Sequence, residues 1–105
     1  MVACAWGHNK PGAAAAAGGG GGGARVGPAH RLGGLADGNF AFAGGALDAD
    51  AEKGRAYAQS LGIAPDRAYG DWREMLACER DRDDRVDLVT VATPNATHFE
   101  ITKAF

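Results

Sequence analysis

Gly19, Gly21, Gly23 and Gly27, followed by a helix-forming stretch and then by an acid, Asp48, are the residues of this chain whose types and order point to a definite chemistry. Glycines lack a Cβ and so let a backbone approach a pyrophosphate closely. A helix amino end offers that pyrophosphate unpaired N–H groups, and a carboxylate at the end of the next strand accepts hydrogen bonds from a ribose. Residues 24–36 supply the helix, and Asp48 stands where the following strand ends. The chemistry is that of dinucleotide binding. The signal within the turn is uneven, because residues 18–23 are an uninterrupted glycine run that satisfies G-x-G spacing in several registers. Gly27, outside the run, carries the independent weight. The segment ahead of the run, residues 13–17, is polyalanine, a poor strand former with little surface to bury.

Other chemistries are a worse match. A nucleoside-triphosphatase phosphate loop needs Gly-Lys followed by Ser or Thr, and this glycine run ends in Gly-Ala-Arg. Cys4, His8, His30, Cys78 and His98 lack the close paired spacing of a zinc site, so no metal is expected. No Ser/His/Asp set is legible, and no residue is assigned a catalytic role.

The elements that must position the glycines and Asp48 follow an alternating pattern from residue 24 onward. Val26, Ala29, Leu32 and Leu35 are spaced for one buried helix face, with Pro28 in its first turn. Residues 39–47 read as a buried strand with Phe40 and Phe42 on one face. Asp50 caps a helix over residues 51–61, which Gly62 and Pro65 end. Residues 67–69 form a short strand. Asp71 caps a helix through Glu79 with Trp72, Met75 and Leu76 at core spacing, and residues 79–85, ERDRDDR, form a solvated turn. Residues 86–92, VDLVTVA, are rich in β-branched side chains and nearly continuous in apolar character, the mark of a central parallel strand. A last helix occupies residues 96–105 with Phe99, Ala104 and Ile101 inward, and the chain stops inside it without a stop signal, as if cut off. The fold class is α/β, a partial Rossmann-type doubly wound parallel sheet. Residues 1–20 are a low-complexity, disordered Ala/Gly-rich leader, readable as the product of a shifted frame or misplaced start, and residues 21–105 are an incomplete dinucleotide-binding domain.

Composition narrows the partners. The 105 residues allow one core, hiding about two-thirds of the surface of the unfolded chain. A formal net charge of -2 provides no basic field for nucleic acid or an anionic membrane. The charge is uneven, since residues 1–36 carry Lys10, Arg25 and Arg31 without an acid and all 13 acids lie from Asp37 onward. No apolar run approaches the ~20 residues that span a bilayer, and no secretory signal is legible. Two distant cysteines form no disulfide framework, so a reducing cytoplasm is expected. Sheet edges left unpaired predict self-association.

Four stretches, residues 19–31 (GGGGGARVGPAHR), 43–63 (AGGALDADAEKGRAYAQSLGI), 69–76 (YGDWREML) and 86–101 (VDLVTVATPNATHFEI), resemble the amino-terminal part of the glucose-fructose oxidoreductase, inositol dehydrogenase and MocA family. The last is the most specific: a strand ending in Thr-Pro-Asn, then two intervening residues and a histidine. The resemblance implies NAD or NADP at the carboxyl edge of the sheet and hydride transfer to or from a hydroxyl carbon, often of a sugar or cyclitol. It implies that Gly21 and Gly27, within the turn that Gly19, Gly21, Gly23 and Gly27 can supply, approach the pyrophosphate, that Asp48 or its neighbours meet the adenosine ribose, and that Thr93, Pro94 and Asn95 line the nicotinamide half with His98 one helical turn beyond. It also implies a proton-transferring lysine in a Glu-Lys-Pro strand and a substrate domain on an antiparallel sheet, neither of which is in this sequence. Lys103 precedes where that strand would be and is expected to be solvated. The residues by themselves allow plainer roles: Asn95 as a helix cap, Asp48 as a strand-end cap, His30 and His98 as packing or surface groups. Two readings follow, a cofactor-binding fragment that turns nothing over, and a non-enzymatic remnant or interaction module without a cofactor.

Overall fold

The computed structural model describes the backbone of residues 3–8 and, in full, residues 29, 32, 33, 36, 38 and 40–105. Gly19, Gly21, Gly23, Gly27 and His30 lie outside them. The elements with described bounds follow in order: β1 (Ala3–His8), β2 (Phe40–Ala46), α1 (Ala51–Ser60), β3 (Ala68–Tyr69, after a 3-10 turn at Pro65–Arg67), α2 (Trp72–Arg80), β4 (Leu88–Val91) and α3 (Asn95–Ala104). The sheet order is β3-β2-β1-β4.

Local signals place the two middle helices. Asp50 Oδ1 accepts from Lys53 N at 3.0 Å, closing the first turn of α1. At its other end Gly62 takes φ +76, a left-handed conformation that a Cβ disfavours. Gly62 N then donates to Gln59 O and Ile63 N to Ala58 O, both terminal carbonyls being satisfied in a Schellman arrangement. Asp71 Oδ1 accepts from Arg73 N (2.7 Å) and Glu74 N (3.0 Å) at the start of α2.

Packing then covers both faces of the sheet at its β2–β3 end. On one face α1 brings Ala58, with Leu61 and Ile63 just beyond it, against Leu47 and Ala68, flanked by Phe40, Phe42 and Tyr57. On the other, α2 sets Met75 against Ala46 and Tyr69, flanked by Trp72, Val86 and Val89. A strict alternation would put Phe40, Phe42 and Ala46 on the same face. They part because the pairing of β1 with β2 skips Ala43, a bulge whose extra residue reverses the alternation and turns Leu47 toward the phenylalanines. Gly44 lets the chain approach its neighbour: a Cβ there would sit 2.7 Å from Arg67 O and 2.9 Å from Arg67 Cβ. Gly44→Ala is therefore expected to lower stability by about 1–3 kcal/mol, because backbone must move to admit the methyl group. An unchanged thermal midpoint would contradict that contact.

Several expectations are corrected. Ala3–His8, placed by composition in a disordered leader, form the strand between β2 and β4 and run antiparallel to both. β2 and β3 are parallel, so β2, β3 and β4 share one direction and β1 opposes them. The 86–92 strand is shorter, Leu88–Val91, and lies at an end of the sheet order instead of its centre; Leu88 is 46% exposed. Ala29, Leu32, Gly33 and Ala36 have helical backbone, yet Ala29 and Leu32, expected inward, are exposed. Periodicity specifies a face, while burial needs a partner surface to cover it. In α3 Ile101 is buried as expected, but Phe99 is 77% exposed and Ala104 points outward too. α3 lies over the same side of the sheet as α2, joined by an Arg73–Glu100 ion pair of 2.8 Å, and only its Ile101 side meets the core. Glu79, expected in a solvated turn, is buried.

Candidate functional site

The register of β1 defines an edge. Ala46 at the end of β2 and Val91 at the end of β4 are both paired with Ala3. Asp48 and Thr93, each two residues further on, leave the sheet at the same edge from strands about 10 Å apart, two inter-strand spacings. Tyr69 at the end of β3 pairs with Ala46, so Gly70 and the Trp72 end of α2 lie at this edge as well.

Asp48 is half-buried, and its Oδ1 accepts from Asp50 N at 2.9 Å, which holds the turn into α1. Gly54 allows that turn to sit against the helix, since a Cβ there would lie 3.1 Å from Asp48 N. Strand-end capping is thus part of the work of Asp48. Its Oδ2 takes no hydrogen bond from another described residue.

Thr93, Pro94 and Asn95 join β4 to α3. Pro94 is the N-cap and makes no side-chain cap bond, and Asn95 is the first helical residue, exposed, so the capping role that its side chain could fill is absent. Thr97 Oγ1 lies 2.7 Å from both Thr93 Oγ1 and Pro94 O, and His98 Nε2 lies 2.7 Å from Thr93 O. Thr97, one helical turn after Thr93, was not singled out in the sequence; its i, i+4 spacing from Thr93 is the signal that could have found it. Lys103 is exposed, its ammonium 5.9 Å from the Phe99 ring.

Near the same edge Arg55 Nη2 donates to Glu74 Oε2 at 3.1 Å, and Glu74 Oε2 accepts from Gly70 N at 2.7 Å. The Arg73 guanidinium stacks 4.2 Å from the Trp72 ring centroid. No group of three or more metal-binding side chains occurs among the described residues, and none of their helices is long and apolar enough to cross a membrane.

β1 is where the structure departs from the dinucleotide recipe. That recipe delivers the chain from the carboxyl end of the central strand straight into the turn. Here the amino end of β1 stands between Asp48 and Thr93, while its carboxyl end, His8, is paired with Phe40 at the opposite edge. The structure brings Asp48 and the Thr93–His98 group to one edge, and Gly19, Gly21, Gly23 and Gly27 remain outside the described residues.

An α/β sheet in 3-2-1-4 order, helices on both faces and an acid at the end of β2 define a Rossmann-type nucleotide-binding module. Residues 17–105 match the Gfo/Idh/MocA oxidoreductase family, NAD-binding Rossmann fold, and the chain belongs to that family. It is 44% identical over 82 residues to the uncharacterized oxidoreductase YfiI of Bacillus subtilis (strain 168), a match covering 77% of this chain and 21% of that protein. An oxidoreductase crystal structure from Pseudomonas syringae superposes with a TM-score of 0.75 at 41% identity, over 81% of this chain and 24% of that one. An inositol dehydrogenase homolog from Azotobacter vinelandii, complexed with NADH and myo-inositol, gives 0.76 at 43% identity, over 80% and 22%. The chain thus spans between a fifth and a quarter of the length of these relatives.

Proposed function

We propose that this chain is the cofactor-binding part of a nicotinamide-dependent oxidoreductase, with the adenosine ribose at Asp48 and the nicotinamide half at Thr93, Pro94 and Asn95. The observation that carries the reading is the shared edge: Asp48 and Thr93 occupy equivalent positions beyond Ala46 and Val91, two strands apart. Their chemistry fits the ligand. Asp48 Oδ2 is a charged acceptor suited to a ribose hydroxyl, and the half-buried Thr93 hydroxyl is a polar group at the other end of the span. Gly19, Gly21, Gly23 and Gly27 are assigned to the pyrophosphate on sequence grounds.

Bound at such an edge, a nicotinamide exchanges a hydride with a carbinol carbon, and the hydroxyl proton goes to a base. The 105 residues contain no Glu-Lys-Pro sequence to supply that base. The reading is therefore cofactor binding without turnover by these residues. A cyclitol or sugar substrate for the whole enzyme is supported by the myo-inositol in the Azotobacter relative.

The test is a titration with NADH and NADPH, following energy transfer from tryptophan, chiefly Trp72, to the nicotinamide. Saturable transfer is expected, stronger with NADH, because a 2′-phosphate would meet the Asp48 carboxylate. Asp48→Asn should weaken NADH about tenfold and narrow the gap to NADPH, the loss of one charge-assisted hydrogen bond. Equal affinities for the two cofactors in the parent chain would remove Asp48 from the ribose site.

A second reading, a Rossmann-like interaction module with no cofactor, is favoured by one observation. β1 runs antiparallel to both its neighbours, whereas the recipe's first strand is parallel to them. No energy transfer from a chain that unfolds cooperatively would decide for it.

A further inference from the structure

We infer that His98 and Thr97 are positioning residues which make the Thr93 hydroxyl a pure hydrogen-bond acceptor, so that the ligand group it receives at the end of β4 is a donor, a hydroxyl or an amide N–H. The inference rests on the cofactor reading above and adds the polarity of its contact at Thr93.

The assignment comes from counting protons. The Thr93 carbonyl can only accept, so at 2.7 Å His98 Nε2 must carry the hydrogen, and a neutral His98 is the Nε2–H tautomer with its lone pair on Nδ1. Pro94 O can likewise only accept. Thr97 Oγ1, 2.7 Å from Pro94 O and 2.7 Å from Thr93 Oγ1, has one proton. Both contacts are satisfied together only when Thr97 donates to Pro94 O and Thr93 Oγ1 donates to Thr97. The Thr93 hydroxyl then has lone pairs alone to offer.

The two tethers also hold the turn. Pro94 has no side-chain cap, and no acid stands in the first turn of α3. What fixes the junction is His98 on the Thr93 carbonyl and Thr97 on the Thr93 hydroxyl and the Pro94 carbonyl, all three from within the first turns of the helix. A ribose hydroxyl or a carboxamide N–H arriving at Thr93 meets an acceptor whose orientation is already set. That lowers the cost of ordering on binding.

The experiment uses the 105-residue chain with NADH as the probe and four variants, His98→Gln, His98→Ala, Thr97→Ser and Thr97→Val. Thermal melts check that each is folded. Glutamine retains an amide donor and serine a hydroxyl, so both should bind NADH like the parent, whereas His98→Ala and Thr97→Val should each weaken it about three- to tenfold. A merely structural role would lower the melting temperature of alanine and valine variants without that split in affinity. Nitrogen-15 NMR of the parent should show the neutral His98 ring protonated on Nε2 and bare on Nδ1. Parental affinity in His98→Ala and Thr97→Val overturns the inference, and so does a His98 protonated on Nδ1 alone. If the folded parent takes up no NADH, the cofactor reading falls and the ligand half of the inference falls with it; the tautomer still decides the tether independently.

Discussion

Glu79→Ala is expected to cost about 3–5 kcal/mol, the range for removing one partner of a buried ion pair. Glu79 is 3% exposed and binds three different parts of the chain. Its Oε1 accepts from the Tyr69 hydroxyl at 2.6 Å, and its Oε2 from Val86 N at 3.1 Å and Arg67 Nη2 at 3.3 Å. Arg67 Nε lies 3.2 Å from Oε1, close enough for charge attraction though not aligned as a hydrogen bond. Alanine would leave a guanidinium whose side chain is 14% exposed with the solvent-facing Asp84 as its remaining ion-pair partner among the described residues, and would orphan the phenol and the amide as well. Domains of this kind are stable by only about 5–15 kcal/mol, so the substitution should remove a large part of the margin. Urea unfolding measures it: the midpoint should fall steeply in Glu79→Ala and less in Glu79→Gln, which retains the volume and one acceptor oxygen. A midpoint displaced by less than about 1 kcal/mol would mean that the network is not formed.

The same network sets an alkaline limit. Burial, and next the bond to Glu79, hold the Tyr69 phenol well above its ordinary pKa of 10.0. The folded chain keeps this proton more tightly than the unfolded chain does. Stability from this source is complete below the unfolded value and is lost as pH rises beyond it. The decline above pH 10.0 should be shallower in Glu79→Ala, where the second cause is gone.

Ala5→Pro should be comparably damaging, by about 3 kcal/mol or more, because proline removes a ladder donor from a strand paired on both sides. Ala5 faces Gly44 on one side and Val89 on the other. Without β1 the pair β2–β3 has no ladder to β4, and the inner edges of both lose their partners. Hydrogen exchange is the direct measurement: amides of β2 and β4 protected in the parent should exchange rapidly in the variant. Unchanged protection would show that residues 3–8 do not occupy this position in solution, and would restore a slot into which the chain before the glycine turn could enter.

Much of the architecture is written in short stretches. Asp50, Gly62 and Pro65 bound α1, and Asp71 starts α2, because caps act within about four residues and need no tertiary partner. Phe40 and Phe42 mark β2, and Asp48 and Thr93-Pro94-Asn95 follow the two strands whose ends share one edge. What those stretches could not determine is where distant pieces meet. The position and direction of β1 depend on two backbone edges far along the chain, to which the composition of residues 1–20 gives no clue. Glu79 reads as one more charge in ERDRDDR until Arg67, Tyr69 and Val86 converge on it. Phe99 and Ile101 are both apolar, but two helix positions apart they point in different directions, and only the tertiary structure chose Ile101 for burial. His98 and Thr97 became legible only once the turn after β4 brought the Thr93 and Pro94 oxygens to them, since hydrogen-bond polarity is a matter of atoms in contact and not of spacing in a sequence.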